Sequence, residues 1–253
     1  MSRERLVYGF HAVAARLRQD PAGVKEVYVL ESRGDARLRD VAALAAERAV
    51  RVVVVPAERL DRMLPGVRHQ GVACTAEARK AIQDIEDILD VVEGPPLLLV
   101  LDGVTDPHNL GACLRSADAL GVHAVMAPKD RAVGLTPVVE KVACGAAETV
   151  PYVMVTNLAR SLDQVKERGL FVVGLAGEAS APLAAQALDG PVALVLGAEG
   201  DGMRRLTRER CDALAVIPMS GTVESLNVSV AAGICLYEAR RQRLAAGGGL
   251  DRR

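Results

Sequence analysis

Tryptophan is absent from the chain, and two phenylalanines and four tyrosines supply its whole 2% of aromatic residues. So few rings argue against a protein that reads single-stranded RNA by stacking bases on an aromatic platform. Also missing is any apolar run near the roughly 18 residues that a membrane span requires, so no membrane partner is expected. The opening residues, Met1-Ser-Arg-Glu-Arg-Leu, lack the apolar core of a signal peptide, and a cytoplasmic protein is the expectation. Five cysteines (Cys74, Cys113, Cys144, Cys211, Cys235) are scattered and never spaced C-x-x-C. They read as small buried hydrophobes in a reducing compartment, not as disulfides or a zinc site. The histidines, His11, His69, His108 and His123, show no metal-ligand spacing, so no metal is expected. Neither G-x-G-x-x-G nor a P-loop occurs, which disfavours a nicotinamide-dependent enzyme or an NTPase.

What is present is ordinary for a globular α/β protein. The 253 residues are 50% hydrophobic and 25% charged, enough for a full core in one or two domains. A formal net charge of −1 argues against a generally basic nucleic-acid binder. Charge is unevenly distributed, however. Residues 1–76 carry 13 Lys/Arg against 9 Asp/Glu, while residues 77–95 carry 2 against 6. The front segment is the basic one, although a solvated surface accounts for that excess equally well.

Helical spacing over His11–Arg18 sets Val13, Ala14 and Leu17 against Arg16 and Arg18. Val24–Leu30 alternates like a half-buried strand, Asp35–Ala49 is a helix, and the β-branched run Val50–Val55 suits a buried strand. A short helix at Glu58–Leu64 and a strand at Gly71–Ala76 complete a small α/β domain over 1–76. The acidic segment 77–96, with a helical stretch Ile82–Val92, ends in Gly94-Pro95-Pro96 and is read as a linker. From Leu97 a second α/β domain runs to 244. Its strands are expected at Leu97–Leu101, Val122–Ala127, Val150–Val155, Leu170–Leu175, Val192–Leu196 and Ala213–Ile217. Helices are expected at Asn109–Leu120, Pro137–Ala147, Leu158–Arg168, Met203–Asp212 and Leu226–Arg243. Strands spaced by helices imply a mostly parallel sheet covered on both faces. The tail 245–253 is expected to be disordered.

Three stretches in the second domain can carry chemistry. In Leu101-Asp-Gly-Val-Thr-Asp-Pro-His-Asn109-Leu-Gly-Ala-Cys-Leu-Arg115, Asn109 is suited to cap a helix whose inner face holds Leu110, Cys113, Leu114 and Ala117. Arg115 falls about 140° round from Leu110 and points away from that stripe, toward an ion pair with Asp118 or toward a ligand. Gly197-Ala-Glu199-Gly-Asp-Gly202 follows a strand, where glycines let the backbone approach a ligand and where such sheets bind one. Glu199 there is equally explained by a helix dipole. In Ile217-Pro-Met-Ser-Gly-Thr-Val-Glu-Ser225-Leu-Asn227, Ser225 is suited to cap the last helix, and Asn227 inside that helix needs a polar partner. This helix is apolar nearly all round to Tyr237, as in a core or a subunit interface. Arg240, Arg241 and Arg243 simply complement its C-terminus.

In this order and spacing, the three stretches resemble the SPOUT-class (α/β-knot) RNA ribose 2′-O-methyltransferases of the TrmH type. Tyr8-Gly-Phe-His11-Ala-Val and His69-Gln-Gly71-Val look like that group's small RNA-binding domain, similar in fold to L30e-like ribosomal proteins. The run Asp102–Asp118 brings the resemblance nearest to bacterial enzymes that methylate a guanosine in the peptidyl-transferase loop of 23S ribosomal RNA. The resemblance implies a C-terminal trefoil knot, a homodimer, and S-adenosylmethionine as methyl donor, held by Gly197, Ile217, Met219 and Leu226 without a metal. It further implies that Arg115 contacts the target phosphate, that Asn109 and Glu199 order Arg115 and its loop, and that Ser225 and Asn227 hold the ribose or the cofactor. The implied partner is 23S rRNA or a large-subunit precursor. Glu224 departs from the small residue that this pattern has before Ser225. Two alternatives stay open: a same-fold methyltransferase acting on another rRNA or tRNA nucleotide, including the antibiotic-resistance type, and a non-catalytic RNA-binding module.

Overall fold

A computed structural model describes residues 4–31, 35–77 and 84–247. The tail at 248–253, and the first residues of the helical stretch expected from Ile82, lie outside the described residues. Two units make up the chain, one of Met1–Lys80 with Cys144–Thr149 and one of Ala81–Ala143 with Val150–Arg253.

In the first unit, strand β1 (Glu4–Tyr8) is followed by helix α1 (Phe10–Gln19), β2 (Val24–Leu30), α2 (Ala36–Glu47), β3 (Arg51–Val55), α3 (Ala57–Met63) and β4 (Val72–Glu77). The sheet order is β1-β4-β2-β3, with β4 antiparallel to both neighbours and β2 parallel to β3. Alternation along β2 sorts its side chains between two small cores. Val27 and Val29 pack with Val13 and Leu17 of α1 and Leu38 and Val41 of α2, while Tyr28 packs with Leu60 of α3. Three expectations need correcting. Strand β1 has no counterpart in the sequence reading. The β-branched run expected to be buried forms the sheet edge, and Val54 is 62% exposed. Such residues fit a pleated strand whether or not both of its faces are covered.

Arg16 is the third correction. Helical spacing puts it on the polar face of its helix, yet it is 1% exposed. Its Nη2 donates to the Glu77 carbonyl at 2.8 Å and lies 3.0 Å from Asp20, and its Nη1 is 3.7 Å from buried Glu148. Glu148 also pairs with Arg5. An unpaired buried charge is costly, and this cluster compensates each charge with another.

The second unit holds α4 (Ile85–Leu89), β5 (Leu97–Asp102), α5 (Pro107–Ala119), β6 (Ala124–Pro128) and α6 (Pro137–Ala143). Helix α7 (Ala146–Thr149), which belongs to the first unit, interrupts it. Then follow β7 (Tyr152–Val155), α8 (Leu158–Glu167), β8 (Phe171–Leu175), β9 (Val192–Gly197), α9 (Arg205–Arg210), β10 (Ala213–Ala215) and α10 (Val228–Ala245). All six strands are parallel, in the order β10-β8-β9-β5-β6-β7. Every residue of β5 is buried, as a strand covered on both faces requires. One face packs Leu98, Val100 and Met126 against α8 and α4. Helix α5 packs against α6 and α10, and Gly111 lets α6 approach: a Cβ there would lie 2.6 Å from that of Val142.

The single helix expected over Pro137–Ala147 is instead two. Cys144 and Gly145 take left-handed φ angles of 52° and 94° and turn the chain between them. Helix α10 includes Ala245, where the disordered tail was expected to begin. Arg243 does more than complement its dipole: its guanidinium donates to the carbonyls of Pro95, Pro96 and Gly190 at 2.9, 2.9 and 2.7 Å. Gln242 ties the same connection through Gln186 and Leu188.

Candidate active site

Strands β5 and β9 lie side by side where the order of the sheet diverges, with β6 and β7 to one side and β8 and β10 to the other. The carboxyl ends of strands at such a point are where open α/β sheets bind ligands. Here Asp102 ends β5 in register with Gly197 at the end of β9. After Gly197 the chain doubles back, with Ala198 and Gly202 exchanging backbone hydrogen bonds of 3.2 and 3.0 Å. A Cβ on Gly197 would lie 2.0 Å from the Gly202 carbonyl carbon, so only glycine permits the turn.

The turn presents Glu199 to two asparagines. Its Oε1 accepts from Asn109 Nδ2 at 3.2 Å, from Asn227 Nδ2 at 2.6 Å and from the backbone N–H of Val228 at 3.1 Å. Asn227 Nδ2 also donates to Asn109 Oδ1 at 2.9 Å. Three of the sequence-expected site residues, from three separate stretches, thus form one cluster at the start of α10. Its position suits a carboxylate, because a helix N-terminus favours negative charge.

The caps differ from expectation. Asp106, not Asn109, caps α5, its Oδ1 accepting from His108 N at 2.8 Å. Pro107 sets the helix start and holds the preceding residue extended, which places Asn109 in the first turn with its amide free to cross to Glu199. Likewise Asn227, not Ser225, caps α10, its Oδ1 accepting from Ser229 N at 3.0 Å. Asn227 is therefore an exposed terminal residue, not a buried one inside the helix. Arg115 is exposed on α5, off the stripe of Leu110, Cys113, Leu114 and Ala117.

Beside the cluster opens a cleft of about 420 Å³. Gly197, Ile217, Met219 and Leu226 all line it, as do Glu199 and Ser225, whereas Asn109, Arg115 and Asn227 are not among its lining residues. Glu178, Asp201 and Glu224 add carboxylates, and Arg208 of α9 pairs with Glu178. The volume lies within the range of small-molecule sites. Apolar Leu196, Ile217 and Leu226 suit a flat heterocycle, and the carboxylates suit hydroxyl and cationic groups, so the residues present fit a nucleoside carrying positive charge.

Sequence reasoning missed the pair beneath the turn. Asp102, 1% exposed, accepts from the backbone N–H of Arg204 at 2.9 Å and from its Nε at 2.6 Å. The one available signal was an aspartate closing an otherwise apolar strand. It also misjudged one thiol: Cys74, Cys113 and Cys235 are buried, but Cys144 is exposed. Burial pushes the thiols of Cys74, Cys113 and Cys235 up to about 12 and that of Cys211 to about 11, so none of these four is a nucleophile near neutral pH. In the first unit, the two motif segments meet. Gly9 N donates to Val72 O at 3.1 Å, and Phe10 N donates to Gln70 Oε1 at 3.4 Å. Among the described residues, no group of three or more His, Cys, Asp or Glu is placed to hold a metal ion.

Comparison with known proteins gives concordant matches. Residues 96–237 match the SpoU rRNA Methylase family, and residues 6–81 match a family described as RNA 2′-O ribose methyltransferase substrate binding. The chain is 58% identical over 243 residues to the 23S rRNA (guanosine-2′-O-)-methyltransferase RlmB of Ralstonia nicotianae, covering 96% of this chain and 98% of that protein. Identity to the protein of the same name from Neisseria meningitidis is 55% over 244 residues, with 96% and 98% covered. The solved structure of the SpoU methyltransferase AviRb from Streptomyces viridochromogenes, in complex with the cofactor AdoMet, matches with a TM-score of 0.76. Identity there is 25%, over 96% of this chain and 91% of that one.

Proposed function

The chain belongs to the SpoU rRNA methylase family, and on that basis we propose that it methylates the ribose 2′-hydroxyl of a guanosine in 23S rRNA, within the peptidyl-transferase loop. The methyl donor is S-adenosylmethionine. The observation that carries this reading is identity above half, sustained over nearly the whole chain, with 23S rRNA guanosine-2′-O-methyltransferases.

Gly197, Ile217, Met219 and Leu226 hold S-adenosylmethionine in the cleft that they line. Bound there, it supplies a methyl group on positively charged sulfur, open to in-line displacement. The protein's own residues bring the hydroxyl to it. Arg115 holds the target's phosphate and stabilises negative charge growing on the 2′-oxygen. A guanidinium keeps its proton near neutral pH, so Arg115 does not act as the base. Asn109, Glu199 and Asn227 lock the start of α5, the turn after β9 and the start of α10 together, so that both reactants meet fixed walls. Ser225, exposed at the cleft, holds the ribose or the cofactor. Positioning of two bound reactants supplies on the order of 7–11 kcal/mol in favourable cases.

The same reading divides the labour between an L30e-like RNA-binding domain over 1–76 and a methyltransferase domain over 97–244. It gives the second domain a trefoil knot. Val216 pairs with Pro182 in the β8–β9 connection, and α10 then fastens to Leu188 and Gly190 of that connection, which supports a chain end drawn through its own loop. It makes the protein a cytoplasmic homodimer. Val230, Ile234 and Tyr237 form an exposed apolar stripe on α10 that suits a subunit interface. Among the described residues, no helix is long and apolar enough to cross a membrane.

The test is transfer of labelled methyl from S-adenosylmethionine to a 23S rRNA fragment spanning the peptidyl-transferase loop, with Arg115→Ala alongside. Transfer by the unaltered protein and its loss in the variant support the reading. Cofactor binding without transfer to that fragment or to precursor particles would move the target elsewhere, and no cofactor binding would end the methyltransferase reading.

A further inference from the structure

We propose that Arg204 is a further substrate-binding residue, a guanidinium fixed at the sheet edge that grips a phosphate of the target RNA beside the methyl-transfer site. This rests on the function proposed above. Burying a carboxylate is costly unless it is fully engaged, and Asp102, whose side chain is wholly buried, is engaged among the described residues by Arg204 alone. One Asp102 oxygen accepts the Arg204 backbone N–H at 2.9 Å, fixing the residue that opens α9, and the other accepts Nε at 2.6 Å. These two bonds restrain both the backbone and the guanidinium of Arg204. Its two terminal nitrogens make no hydrogen bond to any described residue, and the side chain is 41% exposed. A guanidinium held at Nε in a partly exposed side chain keeps its paired terminal N–H donors for a ligand, and such a pair is the geometry that recognises a phosphate.

Neighbouring arginines are used differently. Arg205 and Arg208, on the same short helix, each commit a terminal nitrogen to a surface carboxylate, Glu209 and Glu178. Asp102 lies in register with Gly197, so the anchored arginine stands at the base of the turn that carries Glu199. The loop leading to α5, which carries Asn109 and Arg115, leaves from the residue after Asp102. Arg204 is thus built into the edge where a ribose must be presented, and a second phosphate contact there sets the direction of the strand across the site.

Arg204→Gln is the informative change, because it keeps the backbone N–H that Asp102 accepts and offers a side-chain amide N–H where Nε was. Binding of the 23S rRNA fragment is followed by fluorescence anisotropy over a range of KCl, and S-adenosylmethionine binding by calorimetry. Affinity for the fragment is expected to fall roughly tenfold. The slope of log K against log salt is expected to shrink by about 0.7, the share of one phosphate on a single strand. Cofactor affinity should not change, and Arg204→Lys should restore the slope. Unaltered affinity and slope in Arg204→Gln would overturn the inference, and so would a joint loss of cofactor and RNA binding, which would assign Arg204 to holding the turn. Failure of the unaltered protein to bind the fragment would instead overturn the rRNA reading, and this inference with it.

Discussion

Replacing Glu199 with alanine should remove the centre of the site while leaving the sheet intact. One carboxylate oxygen accepts three hydrogen bonds, from Asn109, Asn227 and the Val228 backbone. Hydrogen bonds to charged groups are worth about 1.5–3 kcal/mol in a protein, but Glu199 is exposed and water can replace it at each donor. Allowing about 0.5–1 kcal/mol for each bond gives a loss of about 1.5–3 kcal/mol in the ordering of the three loops. If that ordering is needed only when the reactants are aligned, the methyl-transfer rate falls roughly 10- to 150-fold. The assay is single-turnover transfer with RNA and cofactor both saturating, so that weaker binding does not enter. Asn109→Ala acts on the same cluster, and its effect combined with Glu199→Ala should be clearly less than additive. A rate within twofold of the unaltered protein, or strict additivity of the two changes, would refute the reasoning.

Gly197→Ala forces the turn to open, since its methyl would lie 2.0 Å from Gly202, and calorimetry should show cofactor binding lost. Hydrogen bonding to Arg241 holds the Glu238 carboxyl down from 4.5 to about 2. Its stabilisation is therefore full above the unfolded value near 4.5 and disappears as pH falls through about 2. The difference in Tm between the unaltered protein and Glu238→Gln should be constant above pH ~5 and vanish near pH ~2. Among the cysteines, Cys144 is the exposed one, and burial raises the thiols of Cys74, Cys113 and Cys235 to about 12. A thiol-reactive dye at mildly alkaline pH should label native protein first at Cys144, as peptide mapping would show.

The central strands of the second domain were legible because they are continuous apolar runs, as burial on both faces demands of β5, β6 and β9. Gly197, Ile217, Met219 and Leu226 are expected at the cofactor through the resemblance alone, and all four line one cleft. Contacts made by distant parts of the chain were not legible. Strand β1 is a short, half-polar stretch whose partner β4 lies some seventy residues on, joined by the pair Glu4 and Glu77. Asp102 and Arg204 are 102 residues apart, and each taken alone is an unremarked polar residue at an element's end. The caps were misplaced for a local reason: several suitable polar residues precede each helix, and Pro107 alone decides which of them stands outside α5. Arg16 and Arg243 looked like surface charges, because their partners (Glu148, and the carbonyls near Pro95 and Gly190) come from elsewhere in the chain.

By the proposed function, this protein places one methyl group on a guanosine ribose of 23S rRNA. The most direct measurement is nucleoside mass spectrometry on an rRNA fragment after reaction, with the modified position located by its resistance to alkaline cleavage. One 2′-O-methylguanosine is expected, in the peptidyl-transferase loop, formed only with S-adenosylmethionine and lost in Arg115→Ala. A methyl group on a base, on another nucleotide, or on no residue of the fragment would contradict it.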